Sequence, residues 1–122
     1  MSLRTTTDGI KFRVMGVDPG KSGAVAVVGA GGKIERVNDM PIGAAAFAFL
    51  LRELHTPENP VNVAVVEEVG AMTYVDGSGQ VRGQGAKASF TFGFGAGVIQ
   101  GALAMAGIPV LLVRPAVWKA IL

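Results

Sequence analysis

Val14-Met15-Gly16-Val17-Asp18-Pro19-Gly20-Lys21-Ser22-Gly23-Ala24-Val25-Ala26-Val27-Val28 decides the fold. An apolar run ends on one carboxylate, a Pro-Gly turn follows at once, and a second apolar run leaves it. An acid at the end of a buried strand is costly unless it meets a metal, a hydrogen-bond donor or water. In open α/β sheets the strand ends are also where ligands bind. Further along, Val63-Ala64-Val65-Val66-Glu67-Glu68 repeats the device with two acids. Two strands delivering carboxylates to one rim of a sheet offer the hard oxygen donors that a divalent cation takes. Side chains alternate along a strand, so only one of Glu67 and Glu68 shares the rim position of Asp18. The spacing alone leaves open which.

Periodicity and breakers give the rest of the path. Phe12–Asp18 reads as a strand, and Ala24–Gly29 pairs back on it through the Pro-Gly turn. Ala30-Gly31-Gly32 then turns the chain into a third strand, Lys33–Asn38, completing an antiparallel meander. Gly43–Leu54 is expected to be a helix, because Phe47, Leu50, Leu51 and Leu54 recur at i, i+3, i+4 and i+7. Pro57 and Pro60 bracket a loop into the strand Val61–Glu67, a Val/Ala run typical of a central parallel strand covered on both faces. Gly70–Ala86 is a long polar loop with a small hairpin about Asp76-Gly77-Ser78-Gly79. A helix over Ser89–Ala106, a strand over Val110–Val113 and a helix opened by Pro115 and running to Leu122 complete the chain. The uncharged stretch from Ala88 to Val113 has a membrane span's length. Its five glycines and the break at Gly107-Ile108-Pro109 make it instead a helix followed by a strand, both expected to be buried.

The 122 residues suffice for one domain with a modest core. Half of them are apolar and 16% are charged, so the chain has enough apolar surface to fold and is expected to be ordered. The net charge of +2 permits a nucleic-acid partner without requiring one. The absence of cysteine excludes disulfides, thiolate metal ligands and a Cys nucleophile. It agrees with a reducing compartment, and the cytoplasm is the expected location, since Met1–Asp8 lacks the apolar core of a signal peptide. Gly93, Gly97 and Gly101 recur every four residues and give a flat helix face, expected to pack on the sheet or a sister helix. No P-loop is present: the helix lacks a Gly-Lys-Ser/Thr ending, and Gly20-Lys21-Ser22 lacks the upstream glycine. His55, the single histidine, reads as a helix-end cap or surface residue rather than a base. Trp118 reads as a core anchor.

Three strands, a helix, a strand, a helix, a strand and a helix, with acids on the first and fourth strands, is the order of the ribonuclease H-like fold. On these residues the chain resembles the RuvC-like Holliday-junction resolvases, above all the bacteriophage-type members. The resemblance is carried by Gly16-Val17-Asp18-Pro19-Gly20, Val66-Glu67-Glu68-Val69, Gly83-Gln84-Gly85, Ser89-Phe90-Thr91-Phe92-Gly93, Gly107-Ile108-Pro109-Val110 and Pro115-Ala116-Val117-Trp118-Lys119. It runs from about Phe12 to Leu122. It implies an α/β domain with a mixed five-stranded sheet, a three-stranded antiparallel meander plus two parallel strands, and helices on both faces.

The resemblance further implies Mg²⁺-dependent hydrolysis of DNA phosphodiesters at four-way junctions, with Mn²⁺ able to substitute, by a homodimer. Two metals ~3.5–4 Å apart would activate a water and stabilise the leaving oxygen. Asp18 would bridge them, and the resemblance selects Glu67 over Glu68 as the second ligand. Lys21, just past the turn, and Arg82 and Lys87, in and after the long loop, are candidate phosphate contacts, with solvated side chains as the plainer alternative. Family members carry two further acids on a C-terminal helix, whereas no Asp or Glu follows Asp76 here. The 122-residue domain is therefore expected to be truncated at its C-terminus and inactive by itself. Two other readings stand beside this one. The chain could be a non-catalytic junction-binding or dimerisation module, or part of an actin-like or sugar-kinase-type ATPase, whose first strand also ends in Asp before a Gly-containing turn.

Overall fold

The computed structural model describes residues 11–20, 22–68, 73–75, 77–83 and 85–114. In chain order its elements are β1 (Val14–Asp18), β2 (Ala24–Val28), β3 (Ile34–Asp39), α1 (Ala44–Leu54), β4 (Val63–Glu67), β5 (Thr73–Val75), β6 (Val81–Gly83), α2 (Ala86–Met105) and β7 (Val110–Val113). Five strands form one sheet in the order β3-β2-β1-β4-β7. β1, β2 and β3 are an antiparallel meander, and β4 and β7 join parallel to β1. This is the mixed sheet the sequence predicts. β5 and β6 pair antiparallel as a separate hairpin, the small hairpin expected within the long polar loop.

Period-two burial sets the layers. Met15 and Val17, Val25 and Val27, and Ala64 and Val66 face one side and are buried. α1 closes that side with Phe47, Leu50, Leu51 and Leu54, the stripe its spacing predicts. α2 adds Ile99 and Leu103 to the same core. Both described helices thus cover one face of the sheet, and the final helix expected over 115–122, with Trp118, lies outside the described residues.

Arg13 fastens the start of β1. It is 6% exposed, and its Nη1 donates to the carbonyls of Leu54 (2.8 Å) and Asn59 (2.6 Å). Its Nε donates to Glu35 at 3.2 Å. Its backbone N–H donates to Asn62 Oδ1 (2.8 Å), and the Asn62 N–H donates back to the Arg13 carbonyl (2.9 Å). A buried cation is tolerable because each contact of its guanidinium is a charge-assisted hydrogen bond. His55 caps the same loop: it follows α1, and its Nδ1 accepts from the Val61 N–H at 2.9 Å. It serves as a structural acceptor at the end of α1.

Two expectations are corrected. α2 and β7 are not buried: Ile99 and Leu103 are the buried residues of α2, while Leu111 and Leu112 on the edge strand β7 are 55% and 42% exposed. An apolar composition distributed all round a helix gives no burial direction, and α2 meets α1 and the sheet through one narrow stripe. Nor do Gly93, Gly97 and Gly101 pack on the sheet, since a Cβ built on any of them meets nothing within 4 Å. The break at Gly107-Ile108-Pro109 is as predicted. Gly107 adopts φ +77°, and the Ile108 N–H returns to the Leu103 carbonyl at 3.0 Å, a left-handed C-terminal cap.

Candidate active site

Register places the first two acids. Val17 is the partner of Val66 across the parallel β1–β4 ladder, so Asp18 and Glu67 are the next positions on adjacent strands, roughly 4.8 Å apart. Val17 and Val66 face the core, hence Asp18 and Glu67 both emerge on the opposite face, which is open as far as the described residues go. Glu68 follows the core-facing alternation. A groove of about 370 Å³ runs along the open face below the acids, lined by Gly16, Val17, Asp18, Ala24, Ala26, Val65, Glu67 and Val113. Its floor is small and apolar, so both carboxylates stand at the end of a shallow, accessible channel.

The turn after β1 holds Asp18 in place. The Gly20 N–H donates to Asp18 Oδ1 at 3.3 Å, and the Gly23 N–H closes the turn on the Gly20 carbonyl at 2.9 Å. The Met40 N–H ties the end of β3 to the Gly23 carbonyl at 3.0 Å. A Cβ on Gly23 would collide with the Asp18 carbonyl oxygen, so the sharpness of this turn depends on glycine there. On the far side of the same turn, Pro19 and Gly20 border a second groove of about 550 Å³ between Met40–Ala44 and the Thr91–Ile99 stretch of α2.

The third acid is occupied differently. Glu68 donates its backbone N–H to the Val113 carbonyl at 2.8 Å, and its carboxylate meets Arg114 Nε at 3.8 Å. Arg114 was not singled out by sequence reasoning, yet the signal was present: a charged residue directly after an apolar strand, the same device as Asp18 and Glu67. Of the candidate phosphate contacts, Lys87 is exposed in the first turn of α2, away from the groove lining, and its carbonyl accepts from the Thr91 hydroxyl. Arg82 sits on β6 opposite Tyr74. Its side chain and Lys21 lie outside the described residues.

Two carboxylates on one open rim suit a hard cation such as Mg²⁺, which keeps several waters and needs few protein ligands. Among the described residues no group of three His, Cys, Asp or Glu side chains converges. The donor set matches a hard cation in type, and among the described residues two carboxylates would be available to one.

No family model and no curated protein matches the chain. Solved structures do. A Thermus thermophilus RuvC in complex with a Holliday-junction substrate superposes with a TM-score of 0.55 at 17% identity, covering 86% of this chain and 66% of that one. A second Thermus thermophilus RuvC structure gives a TM-score of 0.53 at 20% identity, covering 85% of this chain and 62% of that one. The chain thus spans less than two thirds of the RuvC chains it resembles. At such identities the likeness speaks to architecture, and it agrees with the strand order and the mixed sheet: the chain has a RuvC-like, ribonuclease H-like fold.

Proposed function

We propose that this chain carries the catalytic face of a Mg²⁺-dependent, structure-selective endodeoxyribonuclease that resolves four-way DNA junctions. The observation behind the reading is the pair Asp18 and Glu67, side by side on one open face at the rim of a RuvC-like sheet. A neighbouring structure of this fold holds a Holliday junction, which supports branched DNA as the substrate class here. Asp18, on the central strand, and Glu67 would hold the cation, Mg²⁺ or Mn²⁺, through carboxylate oxygens. When bound, such an ion neutralises phosphate charge and acidifies water for attack on phosphorus. The chain's own contribution is positional. The Gly20 N–H keeps the Asp18 carboxylate at the strand end. The small floor of Gly16, Ala24 and Ala26 leaves room for a sugar-phosphate backbone to descend to the acids.

Cleavage of a labelled four-way junction and of plain duplex at millimolar Mg²⁺ tests this. Asp18→Asn and Glu67→Gln should each lower junction cleavage by on the order of 10²-fold or more, the several kcal/mol a metal ligand supports. Asp18→Asn should keep or tighten junction binding, because it removes negative charge near the phosphates without changing shape. Glu68→Gln should stay within a few-fold of wild type. Equal losses for the two glutamates would refute the assignment of Glu67, and equal cleavage of junction and duplex would refute structure selectivity.

A homodimer is part of the reading. The outer face of α2 presents Phe90 and Phe94, stacked with ring centroids 6.2 Å apart and both largely exposed, beside the open Gly93/Gly97/Gly101 face. Uncharged surface of this kind supports burial against a second copy. One observation favours a second reading, a non-catalytic junction-binding module: no group of three metal-ligating side chains converges among the described residues. That module would bind junctions and cleave none at any Mg²⁺ or Mn²⁺ concentration.

A further inference from the structure

We propose that Arg114 is a DNA-phosphate clamp tethered beside the acidic rim by Glu68. The inference rests on the junction-nuclease reading and adds to it a contact outside the Asp18–Glu67 pair. Glu67 is in register with Val113, and Val113 lines the groove below the acids. Arg114 is the next residue, at the same end of the sheet. The Glu68 N–H reaches the Val113 carbonyl at 2.8 Å, which holds the ends of β4 and β7 together one step past the ladder. Arg114 Nε then lies 3.8 Å from Glu68 Oε2, with the two side chains 78% and 49% exposed.

An exposed pair at this separation contributes little to the fold, so stability does not account for it. Its geometry does. Contact through Nε leaves the terminal nitrogens of the guanidinium without another partner among the described residues, and a planar fork of N–H donors matches a phosphate. The other arginines tied into the sheet are committed elsewhere: Arg13 is buried, and Arg36 is bonded to Glu53 at 3.2 Å. Asp18 and Glu67 place two negative charges on the rim, where a polyanion must approach, and Glu68, on the other alternation, adds a third at the same end of the sheet. A cation one strand away from Glu67 offsets that repulsion and fixes the direction of approach. β7 stands two strand spacings from β1, roughly 10 Å. The phosphate that Arg114 holds is therefore a neighbour of the one the acids address.

Junction binding as a function of salt, measured in the cleavage-deficient Asp18→Asn protein, tests the clamp. Adding Arg114→Ala should weaken binding about 3–10-fold near 0.1 M salt and reduce the slope of log K against log salt by about 0.9, one phosphate contact. Arg114→Lys should restore the slope. Thermal midpoints should not change, which separates the clamp from a structural role. Glu68→Gln removes repulsion as well as the tether. It should tighten binding in the Arg114→Ala background, and with Arg114 present that gain should shrink or reverse. Equal effects of Glu68→Gln in both backgrounds would overturn the tether. A salt slope indifferent to Arg114→Ala, in a protein that still binds junctions, would overturn the clamp and leave the nuclease reading standing. Failure of the Asp18→Asn protein to bind junctions at all would overturn both.

Discussion

Gly16 and Gly23 lie on either side of Asp18 and answer opposite demands. A Cβ at Gly16 meets nothing within 4 Å, whereas one at Gly23 runs into the Asp18 carbonyl. Gly16→Ala should therefore be neutral or slightly stabilising, since it reduces the freedom of the unfolded chain. Gly23→Ala should cost about 1–3 kcal/mol or more and disturb the acid beside it. Urea unfolding midpoints of the two variants decide this, and equal midpoints would contradict the described turn. Arg13→Met should cost about 2–4 kcal/mol, because it strips partners from the Leu54 and Asn59 carbonyls and from Glu35. A change under 1 kcal/mol would mean water replaces the guanidinium freely. At this scale the sequence was legible where one side chain announces its own cost, as Asp18 and Glu67 do at the ends of apolar runs. It was silent about Arg13, whose burial depends on two carbonyls distant in the chain. It also could not choose between Glu67 and Glu68, because the choice needs the register of β4 against β1.

At the scale of elements, α1 and α2 make a contrast. The stripe Phe47, Leu50, Leu51 and Leu54 points one way, so burial could be read directly from spacing. α2 is apolar on every side, and its spacing could not say that Ile99 and Leu103 face in while Phe90, Phe94 and the glycines face out. Replacing Phe90 and Phe94 together with Ser should lower self-association, read as a smaller light-scattering mass at a given concentration. The unfolding midpoint of the monomer should hold, because both rings are exposed. Unchanged mass would place any interface between copies elsewhere. The cap at Gly107 was legible for the same reason as α1, since a left-handed residue before Ile-Pro has few alternatives.

For the whole molecule, strand order decides what the residues can do together. The meander was readable, and so was the Val/Ala run of β4 as a central parallel strand. What sits on the open face was not, since small residues such as Ala24 and Ala26 mark room without marking an occupant. If Asp18 and Glu67 hold a cation, Mg²⁺ should raise the thermal midpoint, by about 1.4 kcal/mol of stability at ten times its dissociation constant. Asp18→Asn should abolish that increment, and a Mg²⁺ response that survives the substitution would move the ion off the rim. The parallel neighbour of β1 also has a bearing on time. β1–β3 can close from short loops, but the Arg13–Asn62 bond that locks β4 alongside β1 joins residues 49 apart. Long closures form late and slowly. During synthesis the ribosome releases Asp18 and its turn well before Glu67 exists, so a nascent chain displays half a site with nothing beside it. Whatever chemistry the rim performs begins only after the sheet has committed, and strand order serves as its clock.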